Sequence, residues 1–403
     1  MKSFIAENRS AITVLLCFLT ALFEGVDLQA AGVAAPHLLP LLKLSPAQAG
    51  QFFSASTLGL LIGAPLGGWL ADRVGRKTML IISIVVFGLF ALATSLAYDF
   101  GSLVALRFAT GVGLGGALPN MIALASENTR SERRGLAVGL MYCGMPLGGA
   151  VASAISLTGG ANWKDVFYIG GGAPLLLAPV IALALTESMK AHQAPVARGP
   201  GLADLARTLF AEGRALRTLL LWAGFGFTLL VLYLLLNWLP SLLIGRGFSK
   251  PVAAMVQIAF NLGGVIGSIV VGWLIDGKRR GLVTAVSFIS TIVFLLGLAV
   301  MPAEAAVAIA IGAALGVGIM SNQAILYAIA PWCYPMEVRG AGIGAAVAVG
   351  RLGSLMGPLV AGQLVGSGHS ASQVLLNVAP ILVVGAVAAL VLTVRINRDA
   401  AAH

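Results

Sequence analysis

Twelve long apolar runs constrain this chain more than any other feature. They cover approximately residues 11–36, 49–71, 78–98, 102–125, 135–158, 165–186, 216–244, 252–274, 281–301, 305–330, 340–366 and 371–394 of 403. A run of about 20 apolar residues, rising about 1.5 Å per residue, matches the hydrocarbon thickness of a bilayer. The chain therefore reads as all-α and integral to a membrane, with twelve transmembrane helices. Only 10% of its residues are charged, too few to cover the surface of a soluble domain this long. The 51 glycines fit the same reading, because small residues let membrane helices approach closely.

A formal net charge of +10 would suggest nucleic acid in a soluble protein. Its placement excludes that partner here. With the N-terminus inside, nineteen of the 25 Lys and Arg fall on the cytoplasmic side; Lys43, Lys164, Arg246 and Lys250 fall outside, and Arg107 and Arg351 lie within helices. That is the inward-positive bias of a protein in a lipid bilayer, and it puts both termini in the cytoplasm. The basic start of "MKSFIAENRSAITVLLCFLTALFEG" imitates a leader, but the apolar run continues to Pro36, too long for one, so it reads as a retained first helix. Cys17, Cys143 and Cys333 have no disulfide framework or C-x-x-C spacing, and the four histidines form no cluster. No cofactor, metal site or enzymatic centre is expected.

The two halves repeat. "GWLADRVGRK" from Gly68 returns as "GWLIDGKRRG" from Gly272, 204 residues on. "GVGLGGALPN" from Gly111 returns as "GVGIMSNQAI" from Gly316, and Arg134-Gly135 as Arg339-Gly340, each 205 residues on. A near-constant offset indicates a duplicated six-helix unit. The polar stretch from Thr186 to Arg217 divides the chain into bundles at 1–187 and 215–403, joined by a cytoplasmic linker at 188–214; "LADLARTLF" within it reads as a short surface helix. Two pseudo-symmetric parallel six-helix bundles are a transporter design, with the substrate expected near the membrane midplane between the halves.

Against this background Glu24 and Asp27 are anomalous. They lie deep in the first span, where an ionisable group costs about 2.5–3.5 kcal/mol even on a lenient scale. Their i, i+3 spacing puts both on one helix face, which must look into a cavity. Two carboxylates so close in a poorly solvated site resist joint ionisation, so one holds its proton, as a proton carrier requires. The alternative is a packing pair that never titrates. Arg107 in the fourth span is the natural counterpart: it binds a substrate carboxylate, balances the acids, or snorkels to the surface. Arg351 in the eleventh span has no acidic partner in the spans of its half, which suits either a substrate carboxylate or water and backbone carbonyls.

Polar and aromatic side chains suited to a hydroxylated ring are Asn120, Tyr142, Tyr233, Asn237, Trp238, Gln257, Asn261, Asn322, Gln323 and Tyr327, each equally open to a packing role. Asp72, Arg73, Arg76, Glu127 and Arg134 cluster at cytoplasmic helix ends, where charge pairs hold one face closed until the halves rock.

"GWLADRVGRK" also resembles the loop signature G-x-L-a-D-r-x-G-R-[KR] of the major facilitator superfamily, and with the duplicated halves the resemblance spans the whole chain. It carries gating roles over to Gly68, Asp72, Gly75 and Arg76. "EGVDLQAAGVAAP" is similar to the first helix of the aromatic acid:proton symporters, D-G-[FY]-D followed by glycine and proline, with Asp27, Gly32 and Pro36 matching and Glu24 and Val26 departing. Together with "GVGLGGALPN", "LMYCGMPLGG" and "AVAVGRLGSLMGP", it looks most like their hydroxyphenylpropionate branch. The resemblance implies uptake of an aromatic carboxylate with a proton by a monomer in a bacterial inner membrane. A proton-driven drug exporter on the same fold is the alternative; the fifth span's "GLMYCGMPLGGA" misses the usual exporter spacing by one residue on each side of Pro146.

Overall fold

A computed structural model describes residues 2–130, 133–158, 162–187, 209–211, 213–275, 279–336 and 338–402. Residues 188–208 of the expected linker, with most of the expected "LADLARTLF" helix, lie outside the described residues. Among the described residues, twelve helical segments are long and apolar enough to cross a membrane. The helices are α1 (Lys2–Leu41), α2 (Pro46–Val74), α3 (Arg76–Thr94), α4 (Phe100–Glu127), α5 (Arg134–Tyr142), α6 (Gly144–Thr158), α7 (Asp165–Ala184), α8 (Ala215–Gly245), α9 (Lys250–Leu274), α10 (Arg280–Val300), α11 (Ala305–Ile329), α12 (Arg339–Gly366) and α13 (Ala371–Ala402).

Prolines lie at two of the departures from the hydropathy reading. α1 continues past Pro36 and Pro40 to Leu41. A proline interrupts a helix by lacking an N–H, but neighbouring helices and local adjustment make this tolerable in membrane helices. The fifth span is two helices broken at Cys143. Pro146 explains the break: it cannot donate to the carbonyl of Tyr142, and its ring crowds that carbonyl. Side chains cap several helix starts. Ser45 and Gln48 form a capping box on α2, and Asp99 and Ser102 do the same on α4. The Ser102 hydroxyl and N–H hold the exposed Asp99 carboxyl below the usual carboxylate range.

The chain divides into two compact units, Met1–Val196 and Ala197–His403. In the first, α4 packs on α2 and α3, α7 on α1 and α3, and α6 on α1. In the second, α11 packs on α9 and α10, α13 on α8 and α10, and α12 on α8. Each pairing in one unit has its counterpart in the other. The correspondence extends to single backbone contacts. A Cβ on Gly111 would overlap the carbonyl oxygen of Ser56, and one on Gly316 would overlap that of Phe260. Only glycine permits this approach, which brings α2 against α4 and α9 against α11 through close backbone packing.

Leu60, Leu80, Ile84, Phe87, Leu114, Met121 and Ile181 fill the core of the first unit. Large apolar side chains such as Leu183 and Trp273 are nine-tenths exposed, as suits a surface solvated by lipid.

Candidate functional site

The close packing of α1, α2, α4 and α7 surrounds one cation. Asp27 on α1 and Arg107 on α4 are both completely buried. Arg107 Nη1 donates to Asp27 Oδ1 at 2.8 Å and Oδ2 at 2.9 Å. Nη2 donates to the Asp27 backbone carbonyl at 3.0 Å and to Ser56 Oγ on α2 at 3.2 Å. The Phe167 ring of α7 lies 5.8 Å from the guanidinium carbon. Glu24, one turn before Asp27, is also completely buried.

The two edges of this guanidinium differ. Nη1 reaches both oxygens of one carboxylate, while Nη2 rests on neutral oxygens. This is not the two-nitrogen fork of the most rigid Arg–carboxylate pairs. In low dielectric the two charges sustain each other, and either alone is expensive.

The repeat shows that the six-helix unit does not need this pair. The Leu22 carbonyl meets Gly148 as the Leu230 carbonyl meets Gly357, so Asp27 corresponds to Leu235. By the Gly111 and Gly316 contacts, Arg107 corresponds to Gly312 and Ser56 to Phe260. The same helix packing forms in the second unit with apolar residues at all three positions.

The second unit gathers a different cluster. Arg351 Nη1 on α12 donates to the Tyr233 hydroxyl on α8 at 2.8 Å. Tyr327 on α11 lies near Gln323, Arg351 and Tyr233. Its ring stands edge-on to Phe225 at 5.0 Å, yet Tyr327 keeps 38% of its surface exposed. Four of the sequence candidates thus converge.

Other candidates turn elsewhere. Asn322 accepts from Ser287 at 2.7 Å and donates to Thr291 at 2.9 Å, so both ends of its amide hold α11 to α10. Trp238 donates to the Pro358 carbonyl at 3.0 Å, tying α8 to α12. Asn120, Asn237 and Asn261 are buried and donate to carbonyls one turn back, Gly116, Tyr233 and Gln257. Gln257 is buried beside Asn261 on α9, and Tyr142 at the α5 terminus is exposed.

At the α2–α3 corner, Arg76 forms an ion pair with Glu127 at the end of α4. Arg73 stacks on Trp69, its guanidinium carbon 3.7 Å from the ring. Asp72 is exposed, Arg134 donates to the Thr129 carbonyl, and Gly68 has open space around its Cα. Gly75 is required here by its φ of 94° and by the Glu187 carboxylate, which a Cβ would strike. Glu187 accepts from the N–H of Lys77 at 2.9 Å and of Thr78 at 3.2 Å, and from the Thr78 hydroxyl at 3.0 Å. An anion there satisfies first-turn donors of α3 and complements its dipole. Sequence reasoning missed Glu187 and Ser56. The first lies just past the end of α7, far along the chain from α3. The second is one of several hydroxyls in "FFSAST", a stretch with no feature that separates it from packing.

The sequence pattern of the Major Facilitator Superfamily matches residues 17–358. The chain belongs to that family. It is a membrane transporter, not an enzyme, as the sequence led us to expect. Over 395 residues it is 44% identical to the 3-(3-hydroxy-phenyl)propionate transporter of Escherichia coli (strain K12), covering 98% of this chain and 96% of the relative. It is 34% identical over 385 residues to the gallate transporter of Pseudomonas putida, covering 89% and 86%. The fold is also that of a bacterial homolog of the human lysosomal transporter Spinster, solved inward-facing and unoccupied. The TM-score is 0.78 at 16% identity, over 97% of this chain and 98% of that one.

Proposed function

We propose that this chain imports an aromatic carboxylate together with protons, by alternating access, as a monomer in a bacterial inner membrane with both termini cytoplasmic. The observation that carries the proposal is the buried Asp27–Arg107 pair, absent from the matching positions of the second unit. While Asp27 is ionised it neutralises Arg107. A proton on Asp27, relayed or shared with Glu24, leaves the Nη1 edge of a permanently charged guanidinium without its counter-charge. A substrate carboxylate is the anion that then compensates it. Proton and substrate are thereby coupled through one cation.

The substrate class rests on the relatives. Those for 3-(3-hydroxy-phenyl)propionate and gallate are named for carboxylates on hydroxylated rings. In the second unit, Arg351 with Tyr233 offers a cationic group, and Tyr327 with Gln323 a ring and an amide. The Arg76–Glu127 pair, with Gly68, Asp72, Arg73, Gly75 and Arg134, forms the cytoplasmic gate in this reading.

Reconstituted protein given labelled 3-(3-hydroxyphenyl)propionate or gallate tests the proposal. An imposed gradient, acid on the side topologically outside, is expected to drive accumulation of chemically unchanged substrate. Accumulation indifferent to the gradient, or extrusion driven by it, contradicts it.

A further inference from the structure

We propose that Ser56 is a positioning residue for Arg107, holding the Nη2 edge of the guanidinium so that only the Nη1 edge changes partner when Asp27 takes a proton. This rests on reading Asp27 as the proton carrier.

The geometry divides the cation into a fixed and a switching edge. Nη1 touches only the carboxylate oxygens of Asp27. Nη2 touches only oxygens that no proton removes, the Asp27 carbonyl and Ser56 Oγ. Ser56 is 2% exposed, so water does not substitute readily for its hydroxyl. Its place facing α4 is set by the backbone: the Ser56 carbonyl packs where Gly111, one turn beyond Arg107, leaves room.

That packing does not need the hydroxyl. Phe260 occupies the corresponding position against Gly316, with the same carbonyl contact, and the residue matching Arg107 there is Gly312. Where the cation is absent, so is the hydroxyl.

A neutral acceptor is worth more to an uncompensated buried charge than to a paired one. While Asp27 is ionised, the pair is nearly self-sufficient and Ser56 adds little. Once Asp27 is protonated, Nη1 keeps only a neutral carboxyl oxygen, and Ser56 is one of the few neutral oxygens left to solvate an uncompensated cation. Its hydroxyl therefore favours the protonated state, and its loss makes that state harder to reach.

Few other groups bear on this balance. On α1 itself the titratable side chains along the span are Cys17, Glu24 and His37. On the packed helices, α4 brings Arg107, α5 brings Tyr142, and α6 brings none, with Cys143 at the junction between them. Asp165 and Tyr168 lie near the start of α7. Asp72, Arg73, Glu127 and Arg134 lie at the far ends of α2, α4 and α5.

The test is the initial rate of 3-(3-hydroxyphenyl)propionate uptake by reconstituted full-length protein as external pH is varied. Ser56→Ala is expected to move the midpoint of the profile to lower pH by about half to one unit, the scale set by a fraction of one charged hydrogen bond. Ser56→Cys, similar in size but a weak acceptor, follows Ser56→Ala. Ser56→Thr, which keeps the hydroxyl, keeps the wild-type midpoint; should its extra methyl prevent assembly, the Ala and Cys variants decide. A purely structural role changes the maximal rate and leaves the midpoint in place. An unmoved or alkaline-shifted midpoint in Ser56→Ala and Ser56→Cys overturns the role of Ser56. A wild-type rate with no pH dependence overturns instead the proton-coupled reading beneath it.

Discussion

Replacing the buried ion pair one charge at a time yields an asymmetric result, because only one partner can discharge itself. Consider Asp27→Leu and Arg107→Met, singly and together, in a Glu24→Gln background that removes the other buried carboxylate. Asp27→Leu strands a guanidinium that stays charged at any relevant pH, so the expected loss is about 3–5 kcal/mol. Arg107→Met strands a carboxylate, which escapes by taking up a proton. From an ordinary aspartate value, that uptake costs about 4 kcal/mol at pH 7 and about 1.5 kcal/mol at pH 5. The folded variant then holds a proton that the unfolded chain lacks, so its stability rises as pH falls, by up to about 1.4 kcal/mol per unit. The double variant, apolar like Leu235 and Gly312 of the second unit, returns to within about 1 kcal/mol of the background. Chemical unfolding in mixed micelles at pH 5 and pH 7 measures all four stabilities. If the single losses simply add in the double variant, or if the Arg107→Met deficit ignores pH, the two residues are not an energetic unit and the reasoning fails.

Tyr233→Phe removes the hydroxyl that Arg351 holds at 2.8 Å, and is expected to raise the KM for substrate about tenfold with little change in maximal rate. An unchanged KM removes that cluster from the substrate site. Gly75→Ala forces a side chain into a φ of 94° and against Glu187; the expected loss is about 1–3 kcal/mol, read as a lower melting temperature in detergent. Adding Glu187→Ala relieves the collision but not the backbone strain, so recovery is partial. Ser102 holds the Asp99 carboxyl below its usual range, so the α4 cap contributes stability above the unfolded carboxylate value and loses it as pH falls through the folded one. Asp99→Asn caps without charge and should remove that acid-side component from the profile of melting temperature against pH.

The helices were legible because each apolar run is long enough to span and too uncharged to do anything else. The break at Cys143 was not, because hydropathy does not register the carbonyl that Pro146 leaves without a partner. Asp27 and Arg107 stood out for an energetic reason: a charge within a bilayer needs a compensating group, and of the Lys and Arg only Arg107 and Arg351 lie well inside the apolar runs. Ser56 carries no such signal, since a lone serine in an apolar helix costs little. Helical phase separated two amides that composition made alike: Gln323 reaches Tyr327, while Asn322 turns to Ser287 and Thr291 on α10. Glu187 joined the α3 corner only through the packing of α7 on α3, a contact no local pattern encodes.

In this mechanism Asp27 carries the proton that drives uptake, and one comparison decides whether it does. Asp27→Asn and wild type are reconstituted side by side and supplied with labelled 3-(3-hydroxyphenyl)propionate, first with an inward acid gradient and then at equal pH with unlabelled substrate inside. Asparagine keeps the shape and an acceptor for Arg107 but cannot release a proton. The variant is expected to lose gradient-driven accumulation and to retain exchange at equal pH. Accumulation at the wild-type level in Asp27→Asn contradicts this role of Asp27.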